Sequence, residues 1–101
     1  MPQDKISIIG IDKDNHLYVI PSKLKFRYIY REAMDVHWHE EGSFLYSPAP
    51  SEWSYFDCYK QIVSAVRKQS TLLLLDDETE WKNIPNSLRA EISNFMGENF
   101  K

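Results

Sequence analysis

The chain of 101 residues carries 12 Lys or Arg against 15 Asp or Glu, with 14% aromatic residues and one cysteine. Its length fits a single domain, residues 1–101, and its net charge of −3 without a basic stripe argues against nonspecific nucleic-acid binding. The lone Cys58 rules out an internal disulfide and fits a reducing compartment, while no apolar run approaches the ~20 residues of a membrane helix. The opening Met1-Pro2-Gln3-Asp4-Lys5 has neither region of a signal peptide, so a cytoplasmic location is expected.

Taken in chain order, Ile6 to Ile11 and Leu17 to Ile20 are β-branched runs flanking Asp12-Lys13-Asp14-Asn15-His16, the pattern of a hairpin. Gly10 inside the first run marks a bulge or a close backbone approach, and Pro21 ends the second run. From Leu24 to His39 the even positions are apolar except for Glu32, whereas the odd ones are mostly charged or histidine. That period predicts extended structure, one bent strand or two meeting near Glu32 and Ala33, with the odd face in solvent. Glu40-Glu41-Gly42-Ser43 supplies a turn, and Phe44 to Ser47 the next strand.

Ser47-Pro48-Ala49-Pro50 cannot continue a ladder, and Ser51 or Ser54 then opens a helix, Ser54 with Asp57 in a capping pattern. Its apolar stripe is Tyr55, Tyr59, Ile62 and Val66, with Cys58 beside it as a packing residue. Leu72-Leu73-Leu74-Leu75 is apolar on both faces of a strand and predicts an interior one. Asp76 to Asn83 reads as a solvated acidic loop, Pro85 and Asn86 start a second helix, and Gly97 is placed to end it. The expected fold is α+β, a two-layer sandwich with a mostly antiparallel sheet of about five strands (β-β-β-β-α-β-α) and both helices on one face.

Charge is segregated. Residues 1–31 carry a balance of +3 and residues 32–59 one of −6, with no Lys or Arg in the second stretch, while residues 60–101 are balanced. The uncovered sheet face would hold Arg27, Ile29, Arg31, Asp35, His37, His39 and Glu41, with Trp53 as an aromatic anchor nearby. Two-sided apolar strands and an outward Ile29 point to a second copy of the chain over part of that face, a homodimer. The acidic middle segment points to a basic protein partner.

His37 and His39 share a strand face with Asp35 and Glu41, the parity by which a strand presents two imidazoles to a metal. The pair is similar to the metal-binding histidines of the cupin barrels, but Ser43 and Phe44 stand where that pattern expects its glutamate. No metal or cofactor is therefore expected. The cations Lys23, Lys25, Arg27 and Arg31 are expected on the face opposite Phe26, Tyr28 and Tyr30, which separates the two halves of a single-strand binding surface. No nucleophile and base fall into a recognisable catalytic arrangement.

Two functions follow. One is a small non-catalytic bacterial accessory protein working through protein contacts, such as an inhibitor or immunity-type protein or a mobile-gene product. The other is a small-molecule binder or minor enzyme whose pocket is lined by Trp38, Tyr46 and Tyr59.

Overall fold

The computed structural model describes residues 2–48 and 54–99. The elements are β1 (Gln3–Ile11), β2 (Leu17–Pro21), a 3₁₀ turn (Ile29–Arg31), β3 (His37–His39), β4 (Phe44–Ser47), α1 (Tyr55–Lys68), β5 (Leu72–Leu74), β6 (Glu80–Lys82) and α2 (Asn86–Asn99). The class is α+β, and the sheet has six strands in the order β3-β4-β2-β1-β5, with β6 also paired to β1.

The β1–β2 hairpin forms as its sequence dictates. Asp12 accepts hydrogen bonds from the backbone N–H groups of Asp14 and His16, and Asn15 takes the left-handed conformation at φ 63°. The bulge falls between Ile6 and Ile8 rather than at Gly10. It switches the inward parity of β1, so that Ile6 and Ile9 both enter the core. β5 and β6 run parallel to β1, pairing with Gln3 to Lys5 and Ile8 to Gly10 respectively. Between them, the Thr79 hydroxyl donates to the Ile6 carbonyl at 2.7 Å and fastens the connecting loop to β1.

Helix α1 begins with a full capping box: Ser54 Oγ accepts from Asp57 N, and Asp57 Oδ2 accepts from Ser54 N. Its buried face, Cys58, Tyr59, Ile62, Val63 and Val66, forms the core with Ile9, Leu17, Val19, Leu45 and Leu73 from the sheet. Helix α2 adds Leu88, Ile92 and Met96, and the Phe95 ring meets Phe56 and Tyr59 edge-on.

Four expectations are corrected. Residues 22–36 are not a strand: apart from the 3₁₀ turn they form a loop, and only His37–His39 is extended. The leucine strand is not interior, because β5 lies at the end of the strand order; Leu73 is fully buried while Leu72 and Leu74 are half-buried. Asp76 to Asn83 is not all loop, since Trp81 sits opposite Ile9 in β6. Gly97 lies inside α2, which continues to Asn99.

Candidate functional site

The helices cover one face of the sheet, and cross-strand register defines what the other face presents. His37 stands opposite Tyr46, His39 opposite Phe44, Tyr46 opposite Tyr18, Tyr18 opposite Gly10, and Ile8 opposite both Ile20 and Glu80. The alternating residues Leu17, Val19 and Leu45 point inward and are fully buried, so Tyr18, Ile20, Phe44 and Tyr46 must point outward.

On that open face the rings touch in sequence. Tyr46 contacts His16 at 5.6 Å between centroids, His37 at 5.3 Å and Phe44 at 5.9 Å; Phe44 contacts Tyr18 at 5.8 Å and stacks on His39 at 4.6 Å with only 7° between planes. All three histidines of the chain belong to this array. Two glycines make room for it. A Cβ at Gly10 would stand 2.5 Å from the Tyr18 hydroxyl, and one at Gly42 would stand 2.3 Å from Phe44 Cε2. Neither glycine has positive φ; in the β3–β4 turn the left-handed residue is Ser43, at φ 54°.

The face is aromatic, and the charges around it are more acidic than basic, with Asp12, Asp14, Glu41 and Glu80 against Lys13 and Lys82. Gly42 N–H donates to His39 Nδ1 at 2.9 Å, so the ring carries its proton on Nε2. Asp12, at the β1–β2 turn, lies 3.7 Å from His16. Burial pushes the Tyr18 phenol above its usual range, and the nearby Asp12 charge adds to that rise. Asp14 and Glu41 sit exposed at the two hairpin turns, and β6 presents both Glu80, opposite Ile8, and Lys82, opposite Gly10, on the same face. No group of three or more His, Cys, Asp and Glu capable of holding a metal occurs among the described residues, so Asp35, His37, His39 and Glu41 are not gathered into one ligand set.

The predicted site residues separate. His37 and His39 are on the open face as expected. Asp35 lies near the start of α1, where its charge contributes to raising the Cys58 thiol; burial is the larger cause. Arg27 is bound to Glu40, with Nε 2.9 Å from Oε1, while Trp38 Nε1 donates to the same carboxylate at 2.9 Å. Ile29, expected outward, is fully buried, and Tyr28 and Tyr30, expected inward, are 56% and 58% exposed. Trp53 lies outside the described residues. Of the aromatics proposed to line one pocket, Tyr59 is in the packed core, Trp38 packs against Phe26 on the inner side, and Tyr46 is on the open face. They do not converge.

The corrected loop creates a second surface. Every exposed large hydrophobic among the described residues lies between Leu24 and Met34, the latter 89% exposed. The Arg31 guanidinium sits 4.8 Å from the Tyr28 centroid and 6.0 Å from that of Tyr30. Cation and aromatics therefore share a surface here, which removes the parity argument that had separated them.

The sequence does not by itself gather Tyr18, Phe44 and Tyr46 on one outward face, and it places His16 in the polar hairpin turn without linking it to those rings. Alternation with Leu17, Val19 and Leu45 carries the signal, but a pocket reading takes Tyr46 inward with Trp38 and Tyr59 and leaves Tyr18 and Phe44 without a side.

Among known proteins, the family model described as Integron Cassette Protein Hfx_Cass5 matches residues 4–75. A solved structure described as Integron Cassette Protein Hfx_Cass5, from the mobile metagenome of the North West Arm sewage outfall, is 44% identical. That match covers 93% of this chain and 95% of that one, at a TM-score of 0.49. No curated protein matches. Since the family model spans more than half of the sequence, this chain belongs to the Hfx_Cass5 family of integron cassette proteins.

Proposed function

We propose that this accessory gene product is a non-catalytic binding protein, an inhibitor or immunity-type factor in its most concrete form, that holds a basic protein partner on the open face of its sheet. The carrying observation is the array of His16, Tyr18, His37, His39, Phe44 and Tyr46 on a face that the chain's own helices leave uncovered. Aromatic π faces attract guanidinium and ammonium groups, most strongly once water is displaced. Carboxylates at the hairpin turns, Asp12, Asp14 and Glu41, add a field that steers a cation toward the rings.

The test is an NMR titration of the protein with an oligo-arginine peptide and with an oligo-glutamate control. Shifts confined to the open-face residues, with the arginine peptide only, support the reading. Shifts of equal size on the helical face, or none, refute it.

A homodimer is the second reading, and the Leu24–Met34 surface favours it specifically. A two-fold pair could place the basic, aromatic loop of each copy on the acid-rimmed face of the other, two equivalent contacts closing one dimer. Native mass spectrometry across a salt series tests this, since such a contact weakens as salt rises.

A further inference from the structure

Past the carboxyl end of β5, the chain leaves a cleft of about 480 Å³ against α2, within the size range of small-ligand sites. Leu74, Leu75, Trp81 and Met96 give it an apolar floor, and Arg89 and Asp77 stand on its walls.

The two charged groups have different surroundings from their neighbours. The Arg89 guanidinium lies 5.0 Å from the Trp81 centroid. A cation–π contact at this distance keeps the guanidinium beside the ring without using up its N–H donors, which can still grip a carboxylate. Arg89 takes part in no ion pair among the described residues, and neither does Asp77. Asp76, by contrast, is committed: it pairs with Lys5 Nζ at 3.3 Å and accepts from Glu78 N at 2.9 Å. A cation beside a ring and an available carboxylate thus line the same cleft as the apolar side chains without pairing with one another.

We propose that this cleft binds a small zwitterion with an apolar body, of the class of free amino acids with large hydrophobic side chains. The ligand carboxylate meets Arg89, its ammonium meets Asp77, and its side chain replaces water on Leu74, Leu75 and Met96. This site is separate from the open sheet face, and nothing in its argument rests on that surface.

Gly97 supplies the decisive variant. It lines the cleft, lies within α2, and apart from its chain neighbours and the helix's own backbone has no atom within 4 Å of where a Cβ would be. Gly97→Leu should therefore fill the cleft without disturbing the fold. Isothermal titration calorimetry is run with L-phenylalanine, with 3-phenylpropionate, which lacks the ammonium, and with 2-phenylethylamine, which lacks the carboxylate. Saturable binding of L-phenylalanine is expected, about ten-fold or more weaker for each analogue and for Arg89→Gln and Asp77→Asn, and absent in Gly97→Leu. Thermal melts confirm that each variant is folded. The proposal is overturned if neither L-phenylalanine nor L-leucine binds up to its solubility limit. It is overturned equally if an analogue matches L-phenylalanine, or if folded Gly97→Leu binds as well as the parent.

Discussion

The Tyr18 ring lies across Gly10 on the neighbouring strand, with the phenol Oη and Cζ 2.5 and 2.6 Å from where a Cβ of residue 10 would be. A glycine in a strand is usually a weakness, but an aromatic ring laid over it restores the missing contact. Gly10→Ala should force Tyr18 off the sheet and loosen its contact with Phe44. Overpacking of this kind costs about 1–3 kcal/mol. Urea denaturation reads the cost, and a moved Tyr18 ring resonance identifies its cause; an unchanged ring position would refute the account.

Tyr59 is the largest fully buried side chain, and its hydroxyl has no hydrogen-bond partner among the described residues. Removing an unsatisfied buried polar atom while keeping the ring should be neutral or stabilising, by about 1 kcal/mol. Tyr59→Phe tests this in the same denaturation experiment. A clear loss of stability would reveal a partner for the hydroxyl.

That same burial sets a high-pH limit. Desolvation raises the phenols of Tyr59, Tyr18 and Tyr55 above their ordinary value of 10.0. The folded state therefore keeps protons that the unfolded chain releases, so the tyrosines' contribution to stability is level below about pH 10 and falls as pH rises beyond it. Tyr59→Phe should remove one proton from that dependence, a slope change of about 1.4 kcal/mol per pH unit between the two pKa values. Denaturation midpoints at several alkaline pH values measure it.

Acid acts on the opposite sign. Asp57 is held below its ordinary range first by the backbone N–H of Ser54, then by the Ser54 hydroxyl and Lys60. In Asp76 desolvation pulls upward, but hydrogen bonds from Lys5, Glu78 N and Thr79 together with the Lys5 charge outweigh it. Both carboxylates contribute stability above pH 3.8 that is lost as they protonate at lower pH. Ser54→Ala, which removes the cap, should cost about 1 kcal/mol at neutral pH and flatten the acid-side decline.

How far this was legible in the sequence is clearest where the reading went wrong. Hairpin, capping box and both helices were local patterns, each readable from a few neighbouring residues. The alternation from Leu24 to His39 looked equally local, yet its outcome depended on a residue twenty positions away. Buried Asp4 accepts the backbone N–H of Lys23 and of Leu24, at 3.1 and 2.9 Å, so those donors turn to a carboxylate instead of a neighbouring strand. Phe26 and Val36 keep the inward side that the even parity assigns them, but between them the parity fails: Ile29 turns in, and Tyr28 and Tyr30 turn out. The leucine run misled in another way. Its last two members, Leu74 and Leu75, border the α2 cleft, and a period-two pattern cannot distinguish that from burial between strands.

The exposed loop offers the last prediction. Met34 is 89% exposed and Tyr28 and Tyr30 are more than half exposed, so replacing these three should cost the fold little stability. If they form a subunit contact, their replacement should abolish it, because aromatic anchors carry a large share of interface energy. Glu40 ties Arg27 of the loop to Trp38 of β3, which presents the loop as a fixed surface, although an exposed pair of this kind adds under about 1 kcal/mol to stability. The expected result is a parent protein that is dimeric in native mass spectrometry and a Tyr28→Ser, Tyr30→Ser, Met34→Ser variant that is monomeric with the same melting temperature. A parent that is monomeric at every concentration would remove self-association from the reading. It would leave the acid-rimmed ring face as a surface for a different, basic protein.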